Sequence, residues 1–222
     1  MKLYTKLLTI AAATLLSQNV LAQSAGTWMG RIGLTTLTPE VSGGVLSAPS
    51  FPNSTTAVGP ATQISGGITY MYTDNISVDL PLALPFTHTL SGSGALQGAG
   101  KIGQVDALPA SVFLQYRFME ANSAFRPYVG IGATYAYFFN AKGSAALTAL
   151  TNPGGTPTTL TIDPQFILTP QVGFAFALSD TTFIDVVYTK SILKTTTKLS
   201  TGQHADVNLD PSSISLTLGF KF

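Results

Sequence analysis

Residues Ile76 to Phe86 read ISVDLPLALPF. Ile76, Val78, Leu80, Leu82, Leu84 and Phe86 fall on one side of an extended chain, with Ser77, Asp79, Pro81, Ala83 and Pro85 on the other. Successive side chains of a strand point to opposite faces, so this period of two marks a strand with one fully apolar face. The two prolines cannot donate ladder hydrogen bonds, and the strand is predicted to be bulged or weakly paired where they sit.

The same alternation recurs on both sides. Apolar sets fall on Trp28 to Leu34, Ile64 to Tyr72, Leu108 to Phe118, Val129 to Tyr137, Phe166 to Phe176, Ile184 to Tyr188 and Ile214 to Phe222. Short turns separate some of these runs, at Thr73 to Asn75, Glu120 to Ser123 and Ser179 to Thr181. Long polar loops separate the others, at about Pro39 to Pro60, His88 to Val105 and Asn140 to Thr161, and before the last strand. Eight strands with short turns at one end and long loops at the other predict an all-β fold, an eight-stranded antiparallel transmembrane β-barrel. A soluble carrier barrel would hide its apolar face and carry charges outside. Here the apolar sets contain no charge, as lipid demands, since Arg or Lys at the midplane costs about 2–4 kcal/mol.

Composition agrees. Charged residues make up 9% of the chain, against about 25% in ordinary soluble domains. After the N-terminus no run approaches the ~18 consecutive apolar residues of a spanning helix. At the N-terminus, Lys2 and Lys6 precede the apolar stretch Leu7 to Leu16, and Val20-Leu21-Ala22 supplies a cleavage site. Residues 1–22 therefore read as a cleaved secretory signal peptide, and 23–222 as the barrel with four long extracellular loops. A lipid-bearing cysteine is lacking, and the net charge of +1 gives no nucleic-acid footprint. The expected location is the outer membrane of a Gram-negative-type bacterium. The chain ends on Phe222 after alternating apolar residues, a terminal strand of the kind the barrel-assembly machinery engages.

The inward face divides by depth. Arg31, Asp79, Arg117, Arg126, Asp185 and Lys221 converge near the turn end, the periplasmic side, and are expected to pair into a polar plug. Pro81, Ala83, Pro85, Phe113, Ala136 and Phe138 point inward above them. Either they only pack a narrow barrel, or they line an apolar upper cavity open to small hydrophobic molecules from outside. Straight passage past the plug is blocked, and the proline-bearing strand offers a sideways exit into the lipid of the outer membrane.

Motifs for other chemistry fail on spacing. GSGALQGAGK places five residues between Gly94 and Gly100 and has Ile102 after Lys101, so it is no phosphate loop and reads as a flexible extracellular loop. Gly130-Ile131-Gly132 lies inside a strand. His88 and His204 lack companion ligands, apart from Asp206 near His204, and Ser91 and Asp106 near His88 form no recognisable nucleophile arrangement. No enzyme, metal or cofactor is expected.

Four blocks carry a family resemblance: TYMYTDNISVDLPLALPFTH (Thr69 to His88), LPASVFLQYRF (Leu108 to Phe118), FRPYVGIGATYAYFF (Phe125 to Phe139) and LDPSSISLTLGFKF (Leu209 to Phe222). Together they resemble the OmpW family of outer-membrane proteins across the mature chain. The resemblance implies an eight-stranded barrel whose hydrophobic lumen moves small hydrophobic compounds, with lateral release into the membrane. It also places the family's channel-narrowing leucine and tryptophan at Pro81 and Phe166, of which Pro81 is too small to be a large gate. The expected function is passage of small hydrophobic molecules. The alternative is a plugged structural barrel whose extracellular loops act as a receptor or adhesion surface.

Overall fold

In the computed structural model, residues 23–50 and 52–222 are described. The signal peptide expected over residues 1–22 lies outside the described residues. The strands are β1 (Trp28–Thr38), β2 (Ser42–Gly43), β3 (Ser54–Val58), β4 (Ala61–Met71), β5 (Ile76–Ala83), β6 (Phe86–Gly94) and β7 (Lys101–Arg117). They continue with β8 (Phe125–Gly143), the short helix α1 (Ala145–Thr151), β9 (Leu160–Ile162), β10 (Gln165–Ala177) and β11 (Thr182–Lys190). The chain closes with β12 (Lys194–Leu199), β13 (His204–Asn208) and β14 (Ser212–Lys221).

Antiparallel ladders run β1–β4–β5–β7–β8–β10–β11–β14 and return to β1, so the sheet closes with no free edge. Closure satisfies the strand backbone without water, which is the condition for crossing lipid with strands. β5 and β6 together form one barrel strand, giving the eight-stranded antiparallel barrel that the alternation predicts.

The outer surface has three levels. At the turn end, aromatic pairs Trp28–Tyr70, Tyr116–Phe118 and Phe125–Phe174 have ring centroids 4.8, 5.2 and 5.3 Å apart. At the loop end, Tyr135 stands 6.2 Å from Tyr137, which stands 5.5 Å from Phe139. Between these belts the exposed positions are Ile, Leu and Val, such as Ile32, Leu34, Ile64, Leu80, Leu114, Ile131 and Leu216. Amphipathic rings at two heights enclosing an uncharged band are the signature of a barrel in a bilayer. Outward positions of β6 turn polar at Thr87 and Thr89, so the apolar band ends near Leu84 on this strand.

The loop end is more ordered than the sequence reading expects. β6 and β7 continue as a hairpin beyond the band, and GSGALQGAGK supplies its tip instead of a flexible loop. The other loops contribute a second sheet in the order β2–β13–β12–β9, and β3 pairs with β6. Leu90, Ile102, Val105, Leu147, Leu160 and Leu199 form a separate apolar core beneath them. Leucines inside polar loops carry this order, and their distant partners are invisible to a periodicity argument.

Two expected strand faces also change. The ladder between β5 and β7 stops at Asp79↔Phe113, and that between β6 and β7 resumes at Phe86↔Ala107. One more residue is spent on the β5/β6 side than on β7, so the side-chain phase flips at Pro85. Phe86, His88 and Leu90 consequently point inward and are buried, whereas the unbroken alternation predicts Phe86 outward. Phe166 is 79% exposed on the outside, its ring 4.5 Å from that of Tyr135. It belongs to the loop-end aromatic belt, which corrects its expected place in the channel: its neighbours Ile167 and Thr169 face the lumen instead.

Candidate functional site: a floored lumen with a broken wall

The floor is built around Arg31. Its Nη1 donates to Asp185 Oδ1 at 2.6 Å and its Nη2 to Asp79 Oδ1 at 2.5 Å, and all three side chains are at most 5% exposed. Asp79 also accepts from the Thr69 hydroxyl at 2.6 Å, and Asp185 from the Tyr128 hydroxyl at 3.0 and 3.1 Å. Glycines on neighbouring strands make room for these groups. A Cβ on Gly67 would stand 2.9 Å from Arg31 Nη2, and one on Gly173 would stand 2.6 Å from the Tyr128 ring.

The other cations use a different chemistry. Arg117 donates to Ser77 Oγ at 3.1 Å, Gln115 Oε1 at 2.9 Å and Gln23 Oε1 at 3.1 Å, and its guanidinium lies 4.5 Å from the centroid of Tyr128. Arg126 donates to the carbonyls of Gln23, Asp74 and Phe118 at 2.8, 2.6 and 3.3 Å. Among the described residues neither forms an ion pair with Asp79 or Asp185. Lys221 is 8% exposed at the same end. Below them Met29, Met71, Ala175 and Phe183 pack together at 0–1% exposure and seal the base. The six charged residues thus gather at one end, but as one charge triad, two arginines held by neutral oxygens, and Lys221. Gln23, Thr69, Ser77, Gln115 and Tyr128 are their partners. All but Gln23 are inward by strand parity; Gln23 precedes the first strand, where parity says nothing.

Above the floor is a cavity of about 150 Å³, on the scale of engineered cavities of about 150 Å³ that hold benzene. Pro81, Ala83, Phe113, Ala136 and Phe138 line it, together with Phe86 and Ala107. The Phe113 ring lies over Gly132, where a Cβ would meet its Cε1 at 2.5 Å. Pro85 sits in the interruption between β5 and β6 and is not part of the lining.

The lumen is not uniformly apolar. Thr35 Oγ1 lies 2.7 Å from both Ser65 Oγ and Ser215 Oγ, and Thr189 Oγ1 lies 2.7 Å from Ser213 Oγ. A third chain runs from Ser111 to Thr134, Thr169 and Ser191 with spacings of 2.8, 2.9 and 3.0 Å. All nine hydroxyls line the cavity and form a belt around it, in the same lining as the apolar Pro81, Phe86 and Phe113. His88, 3% exposed, also lines it, and its Nδ1 is 2.8 Å from the Gly59 carbonyl, which makes Nδ1 the donor. His88 lies beyond the apolar band, and burial pushes its imidazole below the ordinary histidine range. Asp106 bonds Thr87 and Asn140 instead of His88, and Asp206 accepts from Thr196 while His204 contacts Ser47, so among the described residues no Ser–His–acid arrangement assembles.

The wall itself is broken at mid-height. Between Asp79 and Phe86 the third barrel strand makes no ladder with β7, whose Leu108 to Val112 lie opposite. Leu84 N–H donates to Ile64 O, so Leu80, Leu82 and Leu84 direct their backbone groups to β4, and Pro81, Ala83 and Pro85 direct theirs toward β7. On β7, Arg117 N–H donates to Asn75 O, so Pro109 shares the parity that faces the break. Three prolines with no N–H meet at this seam. The cavity reaches it, since Leu82, Leu108 and Pro109 are in its lining.

Residues 24–222 match the model of the OmpW family. Outer membrane protein W of Vibrio cholerae is 35% identical over 95% of both chains, and that of Escherichia coli 33% identical over 98% of this chain and all of its own. The crystal structure of the outer membrane protein OprG from Pseudomonas aeruginosa superimposes with a TM-score of 0.82 at 26% identity, covering 91% of this chain and 99% of that one. The closed barrel, its lipid-facing band and these relatives together establish that the chain is an outer-membrane β-barrel belonging to the OmpW family.

Proposed function

We propose that this barrel admits small hydrophobic molecules from outside into the upper lumen and releases them sideways into the membrane through the proline seam. The observation that carries this reading is the coincidence of a floored cavity with a break in its own wall. The Arg31 triad and the methionine base close the route downward, and the cavity lining extends to Leu82, Leu108 and Pro109 at the seam. Opening an intact barrel wall in lipid would expose unpaired backbone donors at high cost. At this seam most of those donors are missing already, so separation costs least here. The loop end faces outward in this orientation, and the six plug residues serve as a structural floor.

The terminal strand β14 pairs with both β1 and β11 and thereby closes the barrel, which fits its reading as the segment met by the assembly machinery. A surface-recognition role for the loops is the second reading, favoured by the ordered loop sheet and its own core. We ascribe no enzymatic role to the barrel.

The test is entry of labelled toluene into cells that lack the protein, complemented with wild type or with Ala136→Trp. The indole would fill the cavity from a buried lining position. Entry should rise with wild type and return to the uncomplemented rate with folded Ala136→Trp. Equal entry in all strains would exclude the conduit and favour the loop surface.

A further inference from the structure

The belt of hydroxyls has a property that an apolar conduit does not need. Nine side-chain hydroxyls share six hydrogen bonds, and among the described residues none of the nine donates to a backbone carbonyl. A chain of n hydroxyls joined by n−1 bonds always keeps one O–H unspent, because each hydroxyl has one proton and two lone pairs. The three chains therefore keep three O–H donors in a lumen of low dielectric, where an unmet donor is costly. In each bond either oxygen can donate, so reversing a chain moves the spare proton from one end to the other. The belt presents a donor or an acceptor according to what meets it. Gln171, 6% exposed in the same lining, adds an amide nitrogen with no partner.

In the same lining Pro81, Phe86, Phe113 and Ala136 offer only carbon, Phe113 and Ala136 standing two residues from Ser111 and Thr134 on β7 and β8. A molecule in this cavity thus meets aromatic and aliphatic side chains next to adaptable hydrogen-bonding groups. A fully apolar guest would displace whatever solvates the belt and return no hydrogen bonds. A carboxylate would have to shed its hydration above an arginine whose charge is already met by Asp79 and Asp185, and among the described residues Arg31 is the one cation in the cavity lining.

We propose that the cavity selects small amphiphiles: ring-sized molecules bearing one neutral O–H or C=O group, such as phenols, alcohols and ketones. The apolar face lies on Phe86 and Phe113, and the polar group sits on the hydroxyl belt. This deepens, and rests on, the conduit reading above.

Phenol and toluene are nearly isosteric and differ by a hydroxyl for a methyl. Their binding to the full barrel in lipid nanodiscs, each corrected for its own uptake by empty nanodiscs, compares the two kinds of lining directly. Ser111→Ala, Thr134→Val, Thr169→Val and Ser191→Ala together remove the whole four-membered chain and its spare O–H without leaving an isolated hydroxyl, and Thr134→Ser alone keeps the chain as a control. The phenol-to-toluene binding ratio should fall about tenfold in the fourfold variant, the scale of a lost buried hydrogen bond, and stay near wild type in Thr134→Ser. An unchanged ratio in the folded fourfold variant, with both ligands bound by wild type, would overturn the selection and leave the conduit standing. Binding of neither ligand by wild type would remove the conduit and the selection with it.

Discussion

Arg31→Met breaks the floor at its centre. In the wild type the Arg31 guanidinium lies between two carboxylates that are at most 2% exposed. Methionine fills much the same space but leaves Asp79 with the Thr69 hydroxyl and Asp185 with the Tyr128 hydroxyl as their remaining donors. Two negative charges then remain in a dry interior without the cation that met both. Removing one partner of a buried ion pair costs about 3–5 kcal/mol, and here a single substitution leaves two carboxylates behind, so the upper end of that range is expected. Urea unfolding in phospholipid vesicles measures this, with the chain's single tryptophan, Trp28 in the turn-end belt, as the fluorescence reporter. The variant Arg31→Met/Asp79→Asn/Asp185→Asn removes all three charges and should recover most of the loss, because neutral buried replacements are often tolerated. A loss below about 1 kcal/mol for Arg31→Met, the range of solvated surface pairs, would refute the reasoning and mean that water reaches the floor.

Two more perturbations probe the lumen and the loop end. Gly132→Val places a Cβ 2.5 Å from Phe113 Cε1 and drives the ring into the cavity; it should destabilise the barrel by about 1–3 kcal/mol and weaken phenol binding. His88 has its affinity for protons lowered by burial, so the unfolded state binds more protons than the folded state as pH falls below about 6.5. The stabilisation from its neutral form is complete above that pH and is lost as pH falls through the folded value. Protection factors of the β6–β7 hairpin, referred to the intrinsic exchange rate at each pH, should therefore fall on acidification in wild type but not in His88→Gln, and an equal pH response in both would refute the assignment.

Much of the barrel is legible in the residues, and what is not has physical causes. The uncharged faces of β1, β4, β7, β10 and β14 follow from parity alone, because lipid tolerates no charge on them. Parity fails across a bulge. Pro81 and Pro85 announce a disturbance after Asp79, but the flip that turns Phe86 and His88 inward depends on residues gained relative to β7, a property of two strands together. Phe166 differs in kind. Its own alternation with Leu168 and Val172 places it outside, and the resemblance to the OmpW family alone suggests a channel role. Thr35, Thr134 and Ser215 are inward by parity as well. That they meet Ser65, Thr169 and one another across the ladders requires the register, which turns and long-range pairing set. The loop core is hidden for the same reason, since Leu147, Leu160 and Leu199 find one another only after the barrel has fixed where their loops begin.

Lateral release depends on the unpaired seam between β5/β6 and β7. Pro81→Val, Pro85→Val and Pro109→Val together restore three N–H donors facing across it without enlarging the lumen lining appreciably. Labelled toluene entry should fall to the rate of cells lacking the protein, while the purified, folded variant still binds phenol in its lumen. Undiminished entry through a variant whose seam hydrogen exchange shows the new ladder formed would contradict lateral release.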